Sequence, residues 1–273
     1  MVKPARHFLK LLDRSREEYR TLFGRATELK RRRRAQHTDS TLAGRTLVLL
    51  MEKASTRTRL SFAAAMGQLG GHAVELAASS SQLARGEPLG DTARVVSGYA
   101  DAVVFRTSTD ERLQEYASAS AIPVINGLSE GGHPVQVLAD LFTVEEALGE
   151  VHGRTLAFIG DCASNMALSF LEAAPLFGFS LRLSAPPGFL PPEDAVRAAG
   201  AHLALVENPK EAVRGVDVVC TDVWTSMGQE AEMERRRSAL AGYTVDEDLL
   251  ALAPKEAIVL HCLPAHRGEE ITE

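Results

Sequence analysis

Short apolar runs recur along the chain, each ending in a polar tip and followed by a stretch of helical periodicity. In the first half the runs are "TLVLLM", "HAVEL", "DAVVFRT" and "IPVINGL", separated by "TRTRLSFAAAMGQLGG", "LGDTARVVSGYA" and "DERLQEYASAS". The longer "HPVQVLADLFTVEEALG" has helical spacing throughout. The pattern then restarts with "LAFIG", "SLRLSAP", "HLALVE", "DVVCTDVW" and "AIVLHCL". Continuously apolar strands alternating with helices belong to parallel sheets covered on both faces. The predicted fold class is therefore α/β, with two lobes of similar size, each a parallel β-sheet flanked by helices. The first lobe is expected over residues 1–140 and the second over 150–273, with 137–152 as a connecting helix region. A chain of 273 residues is long enough for two such cores.

Finer expectations follow from caps and periodicity. Ser15 with Glu18 predicts a capping box opening a helix with Tyr19, Leu22, Phe23, Ala26 and Leu29 on one face. The helix from "TRTR" is expected to run with Leu60, Ala64 and Gly67 or Gln68 on successive turns and to end at paired glycines. "AIVL" reads as a buried strand. A ligand cleft is expected between strand ends of facing lobes.

The formal net charge of −6 gives no general electrostatic reason to expect nucleic acid. The run "KRRRRAQ" is the local exception, and it reads first as a solvated helix end whose cations suit the dipole, with an anion patch as the alternative. No stretch approaches the ~20 apolar residues of a membrane span, and the N-terminus lacks a long apolar region. Cys162, Cys220 and Cys262 are odd in number and far apart, which predicts neither a disulfide framework nor a cysteine-rich zinc site. A cytoplasmic protein is expected, without membrane or nucleic-acid partners.

Chemistry gathers at the tips. In "EKASTRTRLSF", Ser55, Thr56, Arg57 and Thr58 fall where a strand gives way to a helix. Free N–H groups, hydroxyls, a guanidinium and the positive helix end converge there, as an anion site requires. It is not a Walker A loop, and a hydroxyl-rich cap with exposed arginines is the plainer alternative. Arg106 and Thr107 follow "DAVVF", while His133, Pro134 and Gln136 open the long helix. Together with Arg57 they could hold a dianion and polarise a neighbouring carbonyl. In the second half Asn165 stands at a helix start, and Asp222, Ser226 and Met227 lie beyond a strand. A lone carboxylate among amide and hydroxyl groups suits an amino acid, although a turn cap explains Asp222 alone. His261, Cys262 and His266 suggest zinc, but no fourth ligand is evident and no metal is expected. A nucleophilic Cys–His pair lacks a third, orienting group.

"STRTR", "DTARV", "VVFRT", "HPVQVLAD", "TDVWTSMGQE" and "HCLPAHRGEEIT" together resemble the aspartate/ornithine carbamoyltransferase family, over nearly the whole chain. The last two are similar to the members that act on ornithine. The resemblance implies that Ser55, Thr56, Arg57 and Thr58 bind the phosphate of carbamoyl phosphate. Arg106, His133 and Gln136 would grip the same substrate, with Arg106 and His133 near its carbonyl oxygen, and Gln82 would reach such a site from a mobile loop. Asn165, Asp222, Ser226 and Met227 match ornithine contacts, and Cys262 and Leu263 match the pair flanking the acceptor amine and the leaving phosphate. Arg57, Arg106, His133 and Cys262 are thus the expected catalytic set. The implied reaction needs no cofactor or metal, and the implied assembly is a homotrimer or a multiple of trimers.

Two departures qualify the resemblance. Ser164 and Leu168 stand where this segment usually carries asparagines, so altered support for Asn165 is expected. The resemblance would also continue past Glu273, through an arginine for carbamoyl phosphate and a last helix packing on the first lobe. Weakened or absent transfer is expected of a chain that stops at Glu273. Another amine acceptor, such as putrescine or a modified ornithine, and a catalytically silent homologue are the remaining alternatives.

Overall fold

The computed structural model describes residues 5–225 and 232–272. The chain divides into two compact units, residues 1–135 and 136–273. In the first, β1 (Thr46–Met51), β2 (His72–Ala77), β3 (Ala102–Arg106) and β4 (Val124–Leu128) form a parallel sheet of order β2-β1-β3-β4. Its helices are α1 (Arg16–Arg34), α2 (Thr56–Gln68), α3 (Leu89–Ser97) and α4 (Asp110–Ala119). The helix α5 (Pro134–Leu148) spans the division between the units. In the second unit β5 (Thr155–Ile159), β6 (Ser180–Ser184), β7 (Leu203–Leu205), β8 (Val218–Thr221) and β9 (Ile258–His261) form a parallel sheet of order β7-β6-β5-β8-β9. Its helices are α6 (Asn165–Phe177), α7 (Glu193–Ala199), α8 (Pro209–Ala212), α9 (Met233–Leu240) and α10 (Glu247–Leu250). Two parallel sheets flanked by helices is the α/β class read from the alternating runs.

The central strands earn that class by burial. Leu47 to Met51 of β1 and Val103 to Arg106 of β3 are all buried, as continuous apolar runs between two helical layers must be. Leu50, Val103, Phe105, Leu89 and Tyr116 form one core face, and Leu47, Leu49, Met51, Met66 and Val104 the other. In the second unit Phe158 and Phe170 pack at 6.1 Å between ring centroids.

The capping box of α1 is present: Glu18 N–H donates to Ser15 Oγ, and Ser15 N–H donates back to the Glu18 carboxylate at 2.9 Å. The packing adds to the periodicity at three places. On α1 only Tyr19 and Phe23, one turn apart, are buried, and Leu22 is exposed. On α2 the face against the sheet is Thr58, Phe62 and Met66, while Leu60, Ala64 and Gly67 point outward. Both stripes have helical spacing, and the larger Phe62 and Met66 fill the space beside Leu47, Leu49 and Val104. "AIVL" is a sheet edge among the described residues, with β9 paired to β8 and Val259 39% exposed.

Candidate functional site

In the first unit the polar tips stand at the C-terminal ends of β1 and β3. Ser55 caps α2, its Oγ accepting from Thr58 N–H at 3.3 Å and donating to Thr58 Oγ1 at 2.9 Å. Arg106 ends β3 where the register with β4 shifts, an irregularity that re-aims the side chain. Although only 8% exposed, Arg106 reaches Thr58 Oγ1 and the Gly127 carbonyl with Nη1, each at 3.5 Å. Beside it Thr107 donates to Glu52, which also receives Arg112, so the two strand ends are fastened to each other.

His133 precedes α5, and its imidazole is pushed down to about 3, by burial first and then by the nearby Arg106 guanidinium. It is therefore neutral near pH 7 and acts as a hydrogen-bonding group rather than a second cation. Ser55, Thr58, Arg106 and His133 come together in this way. Thr56 and Arg57 lie on the same turn with exposed side chains, and Gln82 opens a short 3₁₀ turn with its side chain in solvent.

The second unit brings its residues to the ends of adjacent strands β5, β8 and β9. Ser164 caps α6 by accepting from Ala167 N–H at 3.3 Å, so the departure from asparagine is filled by an ordinary cap. Asn165, the first residue of α6, is half-buried and makes no side-chain hydrogen bond among the described residues. Asp222, just beyond β8, is 8% exposed and accepts from Val223 N–H at 2.8 Å and from the Cys262 thiol at 3.0 Å. Burial raises the Asp222 carboxyl above the usual carboxylate range. Burial, the Asp222 charge and that hydrogen bond push the Cys262 thiol up, so Cys262 stays a thiol rather than a thiolate nucleophile.

Leu263 follows with φ of 59° and is 48% exposed, its N–H donating to His261 Nδ1 at 2.8 Å. A left-handed backbone at a non-glycine residue marks a strained tip. Ser226 and Met227 lie outside the described residues.

Among the described residues two groups could offer metal ligands. Asp222, His261 and Cys262 bring one ligand atom each to within 4.8 Å of one another, as do His266, Glu269 and Glu270. Protein partners compete for these atoms: Cys262 with Asp222, and His261 Nε2 with Glu270 at 3.1 Å.

Sequence reasoning missed two residues here. Asp140 accepts from Gln136 Nε2 at 2.9 Å, and the i, i+4 spacing in "HPVQVLAD" was the available signal. Arg236 of α9 is 7% exposed and joins Asp161, beyond β5, to the Trp224 carbonyl, beyond β8. Nothing local in "ERRRSA" distinguishes it from its neighbours.

Residues 6–146 match a family described as "Aspartate/ornithine carbamoyltransferase, carbamoyl-P binding domain", and residues 152–273 match its "Asp/Orn binding domain". The chain is 52% identical to a protein named ornithine carbamoyltransferase from Sorangium cellulosum, covering 98% of this chain and 88% of the relative. Among solved structures, an ornithine carbamoyltransferase from Pyrococcus furiosus is similar with a TM-score of 0.93 and 39% identity. That match covers 100% of this chain and 89% of the other. One from Burkholderia thailandensis has a TM-score of 0.90 and 42% identity, covering 98% and 88%. With both halves matched in order, the chain belongs to the aspartate/ornithine carbamoyltransferase family.

Proposed function

We propose that the chain transfers the carbamoyl group of carbamoyl phosphate to the side-chain amine of L-ornithine, giving L-citrulline and phosphate in arginine metabolism. The observation that carries the choice of acceptor is the buried Asp222–Cys262 pair at adjacent strand ends, in a chain 52% identical to a protein named for ornithine. In this reading residues 1–140 hold carbamoyl phosphate, 150–273 hold ornithine, and 137–152 connect them.

Ser55, Thr56, Arg57 and Thr58 take the phosphate at the start of α2, where N–H groups, hydroxyls and the helix dipole favour a dianion. Gln82 adds a contact from its loop. Arg106 and neutral His133 donate to the carbamoyl oxygen, and Gln136 accepts from the carbamoyl amide. Asn165, Asp222, Ser226 and Met227 hold ornithine, with Cys262 and Leu263 flanking its reacting amine.

The amine arrives as an ammonium with a pKa near ~10, as for lysine, and must lose a proton before it can attack. In this reading Asp222, whose carboxyl is raised by burial, accepts it. The neutral amine then forms the new C–N bond, and oxygen charge develops in the tetrahedral intermediate, where Arg106 and His133 stabilise it. The C–O bond to phosphate breaks, and phosphate takes the second amine proton while Arg57 and the helix terminus stabilise its charge. The chain's own contribution is orientation and electrostatics.

The same reading includes a cytoplasmic homotrimer, or a multiple of trimers. No described helix is long and apolar enough to cross a membrane, and neither membrane nor nucleic acid enters the reaction. Support for self-association comes from α2 and the edge strand β2, where Leu60 is 67% and Val74 51% exposed. Light scattering at micromolar concentration should give a multiple of three. The acceptor is tested by offering ornithine, putrescine and aspartate with carbamoyl phosphate. Ornithine should have by far the highest kcat/KM, and preference for another amine would overturn the assignment.

A further inference from the structure

Asp140 lies one turn beyond Gln136 on α5 and is only 8% exposed. Among the described residues its one hydrogen-bond partner is Gln136, whose Nε2 donates to Oδ1 at 2.9 Å, and no cation pairs with it. Asp222 and His261 are near enough to act on it electrostatically, and it acts in turn on the Cys220 and Cys262 thiols. A carboxyl group is thus held out of water beside a second acid, an arrangement that costs stability. Packing alone does not account for it, since α5 could bury an apolar residue there.

The bond to Gln136 supplies an account. A carboxamide rotated by half a turn exchanges its donor and acceptor ends. An ionised carboxylate offers only acceptors, so it admits the Gln136 –NH2 and excludes Oε1. We propose that Asp140 is a positioning residue, selecting the Gln136 amide orientation whose Oε1 accepts from the –NH2 of a bound carbamoyl group. This rests on carbamoyl phosphate being the ligand of Gln136.

The carbamoyl group is asymmetric, with an acceptor oxygen on one side and donor hydrogens on the other. Arg106 and His133 suit the oxygen, and an acceptor must face the amide. A flipped Gln136 would set donor against donor. Burial lifts the Asp140 pKa to about 7, while the Gln136 bond opposes the rise. That is the sign of a bond that favours the acceptor-only form.

The test is run at pH 8, above the Asp140 pKa of about 7, so that the carboxylate is the acceptor-only form; it measures kcat and both KM values for the full chain as wild type, Asp140→Asn, Gln136→Ala and the double variant. The introduced asparagine is isosteric with aspartate but can turn a donor toward Gln136, so the selection is lost. The KM for carbamoyl phosphate should rise about tenfold in Asp140→Asn, the size of one hydrogen bond, with the KM for ornithine unchanged. The double variant should be no worse than Gln136→Ala. An Asp140→Asn effect on ornithine KM alone, no effect, or an effect that adds in full to that of Gln136→Ala overturns the positioning role. A wild-type chain that forms no citrulline overturns the carbamoyl-transfer reading as well, which separates the two failures. Should Asp140→Asn not fold, the wild-type Gln136 side-chain amide is read by NMR. Protection of one of its two protons against exchange, with a shifted resonance, supports the proposal, and equally fast exchange of both contradicts it.

Discussion

Replacing Arg236 by methionine removes one side of a buried ion pair while keeping much of the aliphatic stem. The guanidinium donates to Asp161 and to the Trp224 carbonyl, and it sits 5.0 Å from the centroid of the Phe189 ring. Side chains of both Arg236 and Asp161 are 9% exposed, so water cannot replace the lost partner. Asp161 would be left as a buried charge, held among the described residues only by Ala163 N–H at 3.0 Å. Breaking one side of such a pair costs about 3–5 kcal/mol. At roughly 2–4 °C per kcal/mol for a chain of this size, the melting temperature should fall by about 6–20 °C. Urea unfolding followed by circular dichroism gives the free energy directly. The companion Asp161→Asn/Arg236→Met removes both charges while keeping an acceptor for Ala163, and should recover much of the loss. A single variant within about 1 kcal/mol of wild type, below the range for a broken buried pair, would refute the reasoning. So would a double variant no more stable than the single.

Two further outcomes follow from the titrating groups. Asp222→Asn removes the charge that adds to burial in holding up the Cys262 thiol, so native-state labelling of Cys262 by a thiol reagent at pH 8 should accelerate; an unchanged rate would show that the Asp222 charge does not control it. His133 and Asp140 should give stability opposite pH dependences. The His133 pKa is lowered from 6.5 to about 3, so its contribution is complete above 6.5 and lost as pH falls toward 3. The Asp140 pKa is raised from 3.8 to about 7, so its contribution is complete below 3.8 and lost as pH rises through 7. Relative to wild type, His133→Gln should therefore gain stability as pH falls from 6.5, and Asp140→Asn as pH rises from 4 to 7. Parallel urea midpoints across that range would contradict both assignments.

The strand and helix order was legible because central strands of a parallel sheet must be continuously apolar, as in "TLVLLM". Which helical stripe faces the sheet was not. On α2 both Leu60–Ala64–Gly67 and Thr58–Phe62–Met66 have the right period, and only the shape of the opposing sheet chooses between them. The composition of "AIVL" is that of a buried strand, but composition carries no information on whether a strand has one neighbour or two. Residue types at the tips pointed to anion and amino-acid chemistry, and the family resemblance supplied their roles. The Asp222–Cys262 bond joins positions 40 residues apart, and Arg236 meets Asp161 across 75. Pairings of that kind arise from sheet topology, so no local spacing announces them.

The central claim is carbamoyl transfer from carbamoyl phosphate to ornithine. Its most direct test incubates the purified chain with both substrates and measures citrulline and phosphate in the same samples. Citrulline and phosphate should rise in equal amounts above the uncatalysed breakdown of carbamoyl phosphate, and neither excess should appear when ornithine is omitted. Phosphate release without citrulline, or no enzyme-dependent product with both substrates present, would contradict the account.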